Sequence, residues 1–385
     1  MREYVTVDAP LPTPPVDTNE TGADTYGVPA SIQPVRNPTT DAGSNVEKRS
    51  DPFQFGTRYL ETDSDIFSHN AWDHVEVDAQ YADFIEQQTL FQKDNKVSDF
   101  DKSRFNSQPE KWWDKFYSNN AANFFKDRKW LVQEFPILGK VTEEGYGPVT
   151  VLEVGAGAGN TAFPILAMNQ NPKLKLHACD YSKKAIDIIR AQSAYKSQPA
   201  PILQADVWDA ASEDLPPGLE AGSLDVILMI FIFSALSPDQ WVAAVRNIFT
   251  LLKPGGEVLF RDYGRGDLAQ VRFKKGRYLE QNFYVRGDGT RVYFFEAEEL
   301  REIWGGEATG AQASDADEAV EGVSNVVEDQ RFEVVDLAVD RRMLVNRQRK
   351  LKMYRCWMQG RFRKPLKDEQ TAGSPNPREH VGAAP

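Results

Sequence analysis

A six-residue run, Val149-Thr150-Val151-Leu152-Glu153-Val154, leads straight into Gly155-Ala156-Gly157-Ala158-Gly159-Asn160 and then into a helical pattern over residues 160–168. Few local sequences constrain topology as much. The β-branched run favours a buried strand. The alternate glycines let the backbone turn tightly with no side chains in the bend, and the helix must pack back on the strand. The rest of the chain keeps this rhythm. Residues 174–179 read as a second strand, 182–193 as an amphipathic helix with Ser182 as N-cap, and 201–203 as a short third strand. Residues 224–233 read as a fourth strand, 238–252 as a helix stopped by Lys253-Pro254-Gly255-Gly256, and 257–260 as a fifth strand. Residues 332–339 and 353–361 read as two closing strands. The expected fold is α/β: a doubly wound, mostly parallel, seven-stranded Rossmann-like sheet covered on both faces.

The flanks read differently. Residues 1–50 are rich in Pro, Thr, Asp and Gly without apolar periodicity and read as a disordered tail, as do residues 366–385. Residues 51–148 carry aromatics in a polar background (Phe53, Phe55, Tyr59, Phe67, Trp72) and a helical pattern over 109–135. They read as an N-terminal helical extension packed on a main domain, 149–365. The Gly-, Ala- and acid-rich stretch 305–328 reads as a flexible surface insertion. The longest apolar run, 224–236, is too short for a bilayer and carries Asp225, so a soluble chain without a membrane partner is expected. Asp8, Asp17, Glu20 and Asp24 resemble neither a secretory signal nor a mitochondrial presequence. Cys179 and Cys356 sit in apolar runs, which fits a reducing compartment, the cytoplasm. Four scattered histidines offer no metal site.

The glycine loop alone is a weak signal, and a plain strand-to-helix turn would serve. Its surroundings add chemistry. Asp180 ends the second strand, where a carboxylate can accept both hydroxyls of a ribose. Asp206-Val207 follows the third strand, where a carboxylate and a backbone N–H can read an adenine edge. A nicotinamide cofactor would want Gly-x-Gly-x-x-Gly and a pyrophosphate at the helix N-terminus. Here the spacing is Gly-x-Gly-x-Gly after Glu153, an acid that would repel a pyrophosphate but suits a sulfonium amino acid. With Leu252-Lys253-Pro254-Gly255-Gly256 before the fifth strand, the pattern resembles class I methyltransferases that use S-adenosyl-L-methionine.

Longer strings narrow the resemblance. Trp112-Trp113-Asp114-Lys115-Phe116-Tyr117, Asn123-Phe124-Phe125-Lys126-Asp127-Arg128, Ala178-Cys179-Asp180-Tyr181-Ser182 and Leu259-Phe260-Arg261-Asp262-Tyr263-Gly264 are similar to blocks of the tRNA N3-methylcytidine methyltransferase family. So are residues 272–277 and 282–295. The segments 55–60, 70–73 and 339–347 look like the branch acting on threonine tRNA. The resemblance covers about residues 51–365 and implies methylation of cytosine 32 in the anticodon loop. It departs at Ala156, where the family usually has cysteine, and in the acidic stretch after Trp304. It implies cofactor contacts from Trp113, Tyr117, Glu153, Gly155, Gly157, Gly159, Asn160, Asp180, Tyr181, Asp206, Val207 and Ile230. Trp113 and Tyr117 are four apart, so on a helix they share a face. A packing stripe is the ordinary explanation, and the resemblance makes that face close over the cofactor. Related enzymes differ in whether an accessory tRNA-binding protein or an aminoacyl-tRNA synthetase takes part.

Net charge is −12, yet residues 341–367 hold eleven Lys/Arg and no acid, and residues 261–291 hold eight bases against four acids. Charge runs are usually solvated faces. Two in an acidic chain make Arg265, Arg272, Lys274, Lys275, Arg277, Arg286, Arg291, Arg341, Arg342 and Arg347 candidate RNA contacts, and Lys126 and Arg128 of the family-like block 123–128 join them. Phe273, Tyr278, Phe283, Tyr284, Tyr293, Phe294 and Phe295 would either stack on splayed bases or pack in the core, which is the better reading for the last two. Neutral cytosine has an in-plane lone pair at N3, so the transfer needs no general base. Phe231, Arg261 and Asp262 are the candidate catalytic residues. Asp262 would stabilise charge passing to the base or bond its amine, or else simply pair with a neighbouring arginine. Arg261 or Arg265 would hold phosphate.

Overall fold

The structure, a computed structural model, describes residues 60, 64–122, 124–198, 201–306, 330–348 and 351–366. The two expected tails up to residue 50 and from 367, the aromatics Phe53, Phe55 and Tyr59, and nearly all of 305–328 lie outside the described residues. The extension contributes strand β1 (Ala71–Asp73) and helices α1 (Ala79–Asp94), α2 (Asp99–Ser107), α3 (Pro109–Asn120), α4 (Leu131–Glu134) and α5 (Ile137–Lys140). The single helical pattern expected over 109–135 is thus broken after Asn120. Ala121 takes φ +49°, which ends α3 and turns the chain back toward the sheet.

The alternation then runs β2 (Val149–Val154), α6 (Ala162–Met168), β3 (Leu174–Asp180), α7 (Lys183–Ala191), α8 (Ser193–Lys196), β4 (Leu203–Val207), β5 (Leu224–Ile230), α9 (Pro238–Leu251) and β6 (Leu252–Tyr263). After β6 come α10 (Leu268–Val271), β7 (Tyr278–Glu280), β8 (Phe283–Val285), β9 (Arg291–Tyr293), α11 (Ala297–Gly305), β10 (Glu333–Asn346) and β11 (Leu351–Arg363). Local chemistry accounts for the joints. Ser182 caps α7 by accepting from Ala185 N–H at 3.1 Å. Pro238 opens α9, and the Gln240 side chain accepts from Ser237 N–H at 3.0 Å.

The main sheet has the order β1-β10-β11-β6-β5-β2-β3-β4. Strands β4, β3, β2, β5 and β6 run parallel, and β11 and β10 close the edge antiparallel. All seven expected strands are present. The extension adds an eighth, since β1 pairs with β10 at Ala71↔Leu344, Trp72↔Met343 and Asp73↔Arg342. Hydrophobic cores cover both faces: Leu138, Ile165, Ile186 and Ile189 on one, Trp241, Ile248, Leu300 and Trp304 on the other. A third core, with Trp72, Tyr81, Phe84, Met343 and Tyr354, fixes the extension to the closing hairpin. Residues 278–293 form a separate three-stranded sheet that the sequence pattern did not reveal. The chain order reverses between β2 and its neighbours β3 and β5, so the crevice belongs at the carboxyl ends of these strands. Among the described residues, no helix is long and apolar enough to cross a membrane.

Candidate active site

The bend after β2 is built for bare backbone. Gly155 and Gly157 have φ of +66° and +57°. A Cβ on Gly155 would lie 2.5 Å from Ile232 Cγ1, and one on Gly157 would lie 2.4 Å from the Tyr117 hydroxyl. Glycine is therefore required by torsion and by space at both positions. Asp180, at the end of β3, reaches across: its carboxylate accepts from Gly157 N–H and from Ser182 N–H, both at 2.9 Å. Burial pushes its carboxyl up to about 6. Asp206 is half-buried and bound by Arg190 at 2.7 Å, and Val207 beside it is exposed. Tyr181 is half-buried and Ile230 fully buried at the end of β5.

Glu153 lies beneath the bend, 1% exposed. It accepts from Ala162 N–H at 3.1 Å, at the start of α6, and faces Arg128 Nη1 at 3.4 Å. Burial raises its carboxyl to about 7, with the Arg128 charge pulling the other way.

Helix α3 closes over this floor. Asp114 accepts from Ser182 Oγ at 2.6 Å and Lys184 N–H at 3.1 Å, which pins α3 to the start of α7. Trp113 and Tyr117 stack at 6.0 Å, and Tyr117 is buried against Ala158 and Ala185. The next segment is tied down too: Asn160 donates to Phe125 O at 3.0 Å and accepts from Arg128 N–H through its carbonyl at 2.8 Å.

Beside the bend, Phe231 follows β5 with φ +59°, an uncommon conformation for a bulky residue. Its half-buried ring lies 5.0 Å from Tyr263 and 5.9 Å from the Arg128 guanidinium. Asp262 is fully buried, accepts from Ser234 N–H at 2.9 Å and Tyr263 N–H at 2.8 Å, and is raised by burial to about 6. It thereby fixes the turn that carries Phe231 and Ile232. Its hydrogen bonds are to the Ser234 and Tyr263 amides and the Ser234 hydroxyl, and the Arg286 charge opposes the effect of burial.

A methyltransferase-domain family matches residues 152–258. A tRNA N(3)-methylcytidine methyltransferase of Schizosaccharomyces pombe is 44% identical over 80% of this chain and 92% of its own length. A Drosophila melanogaster enzyme of the same description is 39% identical over 87% of this chain and 95% of its own. The chain belongs to the tRNA N3-methylcytidine methyltransferase family. The tRNA(Thr) (cytosine(32)-N(3))-methyltransferase of Saccharomyces cerevisiae is 46% identical over 82% of this chain, which spans only 46% of that protein.

In this methyltransferase several residues expected to meet RNA are instead internal. Arg261 is 4% exposed, paired with Asp340, bonded to Gln359, and lies between Trp130 and Trp357 at 5.3 and 5.0 Å. It has no path to a phosphate. Arg342 is buried with Asp73, Glu134 and Asp340 at 3.3, 3.2 and 2.9 Å. Arg291 is buried and donates to Asn106, Ala235 O and Gln240. Arg347 ties β10 to Asn70 and Ser68. Arg128 belongs to the glycine bend. Six of the seven candidate stacking aromatics, all but Phe273, are buried, and Phe273 itself stacks on Tyr284 at 4.9 Å.

Lys126, Arg265, Arg272, Lys274, Lys275 and Arg341 are exposed, with Arg265 paired to Glu296 at 2.6 Å. Arg277 and Arg286 are half-buried, and Arg286 lies 5.6 Å from the Tyr263 ring. Sequence reasoning missed the roles of Asp114, Ser234 and Tyr263. Asp114 carried a signal, since it sits one residue after Trp113 and so on a different helix face from the Trp113–Tyr117 stripe. Tyr263 was visible only as part of the family-like block 259–264, which does not give its contact with Phe231.

Proposed function

We propose that this enzyme uses S-adenosyl-L-methionine to methylate N3 of cytosine 32 in the anticodon loop of tRNA, with threonine tRNA as its first substrate. The observation that carries this reading is a shared wall. The glycine bend lies under Trp113 and Tyr117 and against Ile232, the neighbour of Phe231, whose ring meets Tyr263, so a donor on the bend and a base on the aromatic pair would be next to each other. The cradle suits the donor. Positions 155 and 157 leave no room for a Cβ, Asp180 stands where ribose hydroxyls would compete for its oxygens, and aromatic faces favour a sulfonium.

The bound donor supplies a methyl on a sulfonium, which needs no activation as a leaving group. The protein must then flip the base, hold N3 in line and exclude water. In this reading Phe231 and Tyr263 stack on the flipped base, and alignment of this kind is worth roughly 7–11 kcal/mol in favourable systems. Positive charge passes to the base, and the Asp262 carboxylate, adjacent to Tyr263, favours it. Lys126, Arg272, Lys274, Lys275, Arg277, Arg286 and Arg341 remain the residues assigned to phosphates. A helper tRNA-binding protein or an aminoacyl-tRNA synthetase is a fitting partner. Cytoplasmic residence agrees with a tRNA substrate and with two buried, unpaired cysteines.

The test is nucleoside mass spectrometry of threonine-tRNA transcripts, with and without cytosine 32, after incubation with protein and donor. 3-Methylcytidine in the first alone supports the reading. Tight donor binding without any 3-methylcytidine would move the acceptor to a protein or small molecule.

A further inference from the structure

The turn between β8 and β9 touches both halves of the proposed site. It is stiff. Arg286 N–H donates to Thr290 O at 2.7 Å, and Gly289 N–H donates to Arg286 O at 3.0 Å. The Asp288 carboxylate accepts from Thr290 N–H and Thr290 Oγ1 at 2.9 and 2.7 Å. On one side the Arg286 guanidinium lies 5.6 Å from the Tyr263 ring, which in turn meets Phe231. On the other side Gly289 is buried against Trp112 of α3. Its φ is +90°, and a Cβ there would stand 2.5 Å from Trp112 Cδ2 and 2.6 Å from Cζ3. The main chain of the turn therefore rests directly on the indole, a closeness that only glycine permits.

A second tie runs beside the first. Arg291, buried at the start of β9, donates to Asn106 of α2 at 3.2 Å, and Phe105 next to Asn106 lies 5.2 Å from the Trp112 ring. Trp112 precedes Trp113 on the helix that closes over the glycine bend, where Tyr117 leaves no room for a Cβ on Gly157. The contact with the turn and the contact with the bend thus lie within two turns of one helix. A body packed this closely does not yield at one end alone. The Tyr263 side of the β8–β9 turn and the donor side of α3 share one rigid link.

We propose that Trp112, seated on Gly289, is a positioning residue that couples RNA binding to donor binding. RNA held against Arg286 and Tyr263 keeps the turn, and with it α3, down on the donor. A donor under α3 keeps the turn set for RNA. This link rests on the donor and acceptor reading above and adds to it a mutual dependence of the two ligands. Trp112 as core filler alone would stabilise the fold and leave the two affinities independent.

Calorimetry on the full chain tests the link with a threonine-tRNA anticodon stem-loop and S-adenosylhomocysteine, the demethylated donor, which cannot react. Saturating RNA should tighten S-adenosylhomocysteine by at least about 5-fold, and S-adenosylhomocysteine should tighten RNA by the same factor. In Trp112→Leu, which keeps apolar bulk beside Phe105 but loses the flat ring, that factor should fall close to one. Gly289→Ala, which forces the turn off the ring from the other side, should do the same and covers the case where the first variant fails to fold. Weaker binding of both ligands with an undiminished factor in either variant would make Trp112 a packing residue only and overturn the proposal. Independent binding in the unaltered protein would overturn it too, with the functional reading intact. A protein that bound neither ligand would overturn the functional reading, and this link with it.

Discussion

Replacing Gly157 by alanine would act on the loop and on the helix above it together. The residue sits at φ +57°, where a Cβ costs about 1–2 kcal/mol. The new methyl would also stand 2.4 Å from the Tyr117 hydroxyl and 3.3 Å from Cζ. Tyr117 has little room to retreat, because it is 4% exposed and its helix is pinned through Asp114 to Ser182 and Lys184. Overpacking of this kind typically costs about 1–3 kcal/mol. The single variant should lose about 2–5 kcal/mol of stability, the sum of these two terms, and bind donor weakly. In a Tyr117→Phe background the offending oxygen is gone, and the remaining 3.3 Å contact is tight but tolerable. The loop substitution should then cost only its torsional part. Denaturant unfolding of the four proteins in a double-mutant cycle measures this, with an expected favourable coupling of about 1–3 kcal/mol. Additivity within about 0.5 kcal/mol would mean that Tyr117 does not rest on the bend in solution, and the closed cradle would have to be abandoned.

Glu153 and Asp180, held near 7 and 6 by burial, bind protons more tightly folded than unfolded. Their contribution to stability is present below pH 4 and is lost as pH rises through about 6–7. A cationic donor favours their ionised forms, so its affinity should fall from pH 7 to pH 5 and its binding at pH 6 should release protons. Calorimetry in buffers of different ionisation enthalpy would detect this, and zero release would contradict it. Asp340→Ala strips the shared partner from buried Arg261 and Arg342 and should cost about 3–5 kcal/mol in chemical denaturation. Arg265→Ala, at an exposed pair, should cost under about 1 kcal/mol, and similar losses in both would refute the distinction. Phe231→Gly relieves the positive φ, so the melting temperature should hold or rise while turnover on tRNA falls. Unimpaired turnover would remove the ring from the acceptor slot.

The fold was legible because its signals are local. A β-branched run, three glycines, a serine cap and a Pro-Gly-Gly stop each act within a few residues, and together they gave the seven strands. Boundaries moved where pairing overrode composition. β6 extends back through Lys253-Pro254-Gly255-Gly256 to Leu252, which aligns with Leu224 of β5. β4 starts where the third strand was expected to end, because Leu203–Val207 pairs with β3. The basic residues misled for a related reason. A run of charge carries no record of its partners across a sheet: Asp340 for Arg261, Asp267 for Arg355, Glu257 for Arg361 and Arg363. Strand alternation also divides such a run, leaving Arg341 exposed and Arg342 buried. The donor half of the site was readable through its backbone requirement. The proposed acceptor half rests on the Ser234 amide and on a torsion at Phe231, which no local pattern announces, while Tyr263 and the Phe231 ring were visible only through the family-like blocks.

Strand β1 makes the extension a piece of the catalytic sheet and not a module tethered to it. Without this strand, main-chain groups at Met343 and Val345 would stand bare on the rim of a fourteen-residue strand, the kind of rim that recruits other chains. A shortened protein beginning at Val149 would lose activity through self-association as readily as through lost contact with substrate. Grafting a relative's extension onto this sheet would likewise have to restore a hydrogen-bonded seam before it could transfer any preference for one tRNA over another.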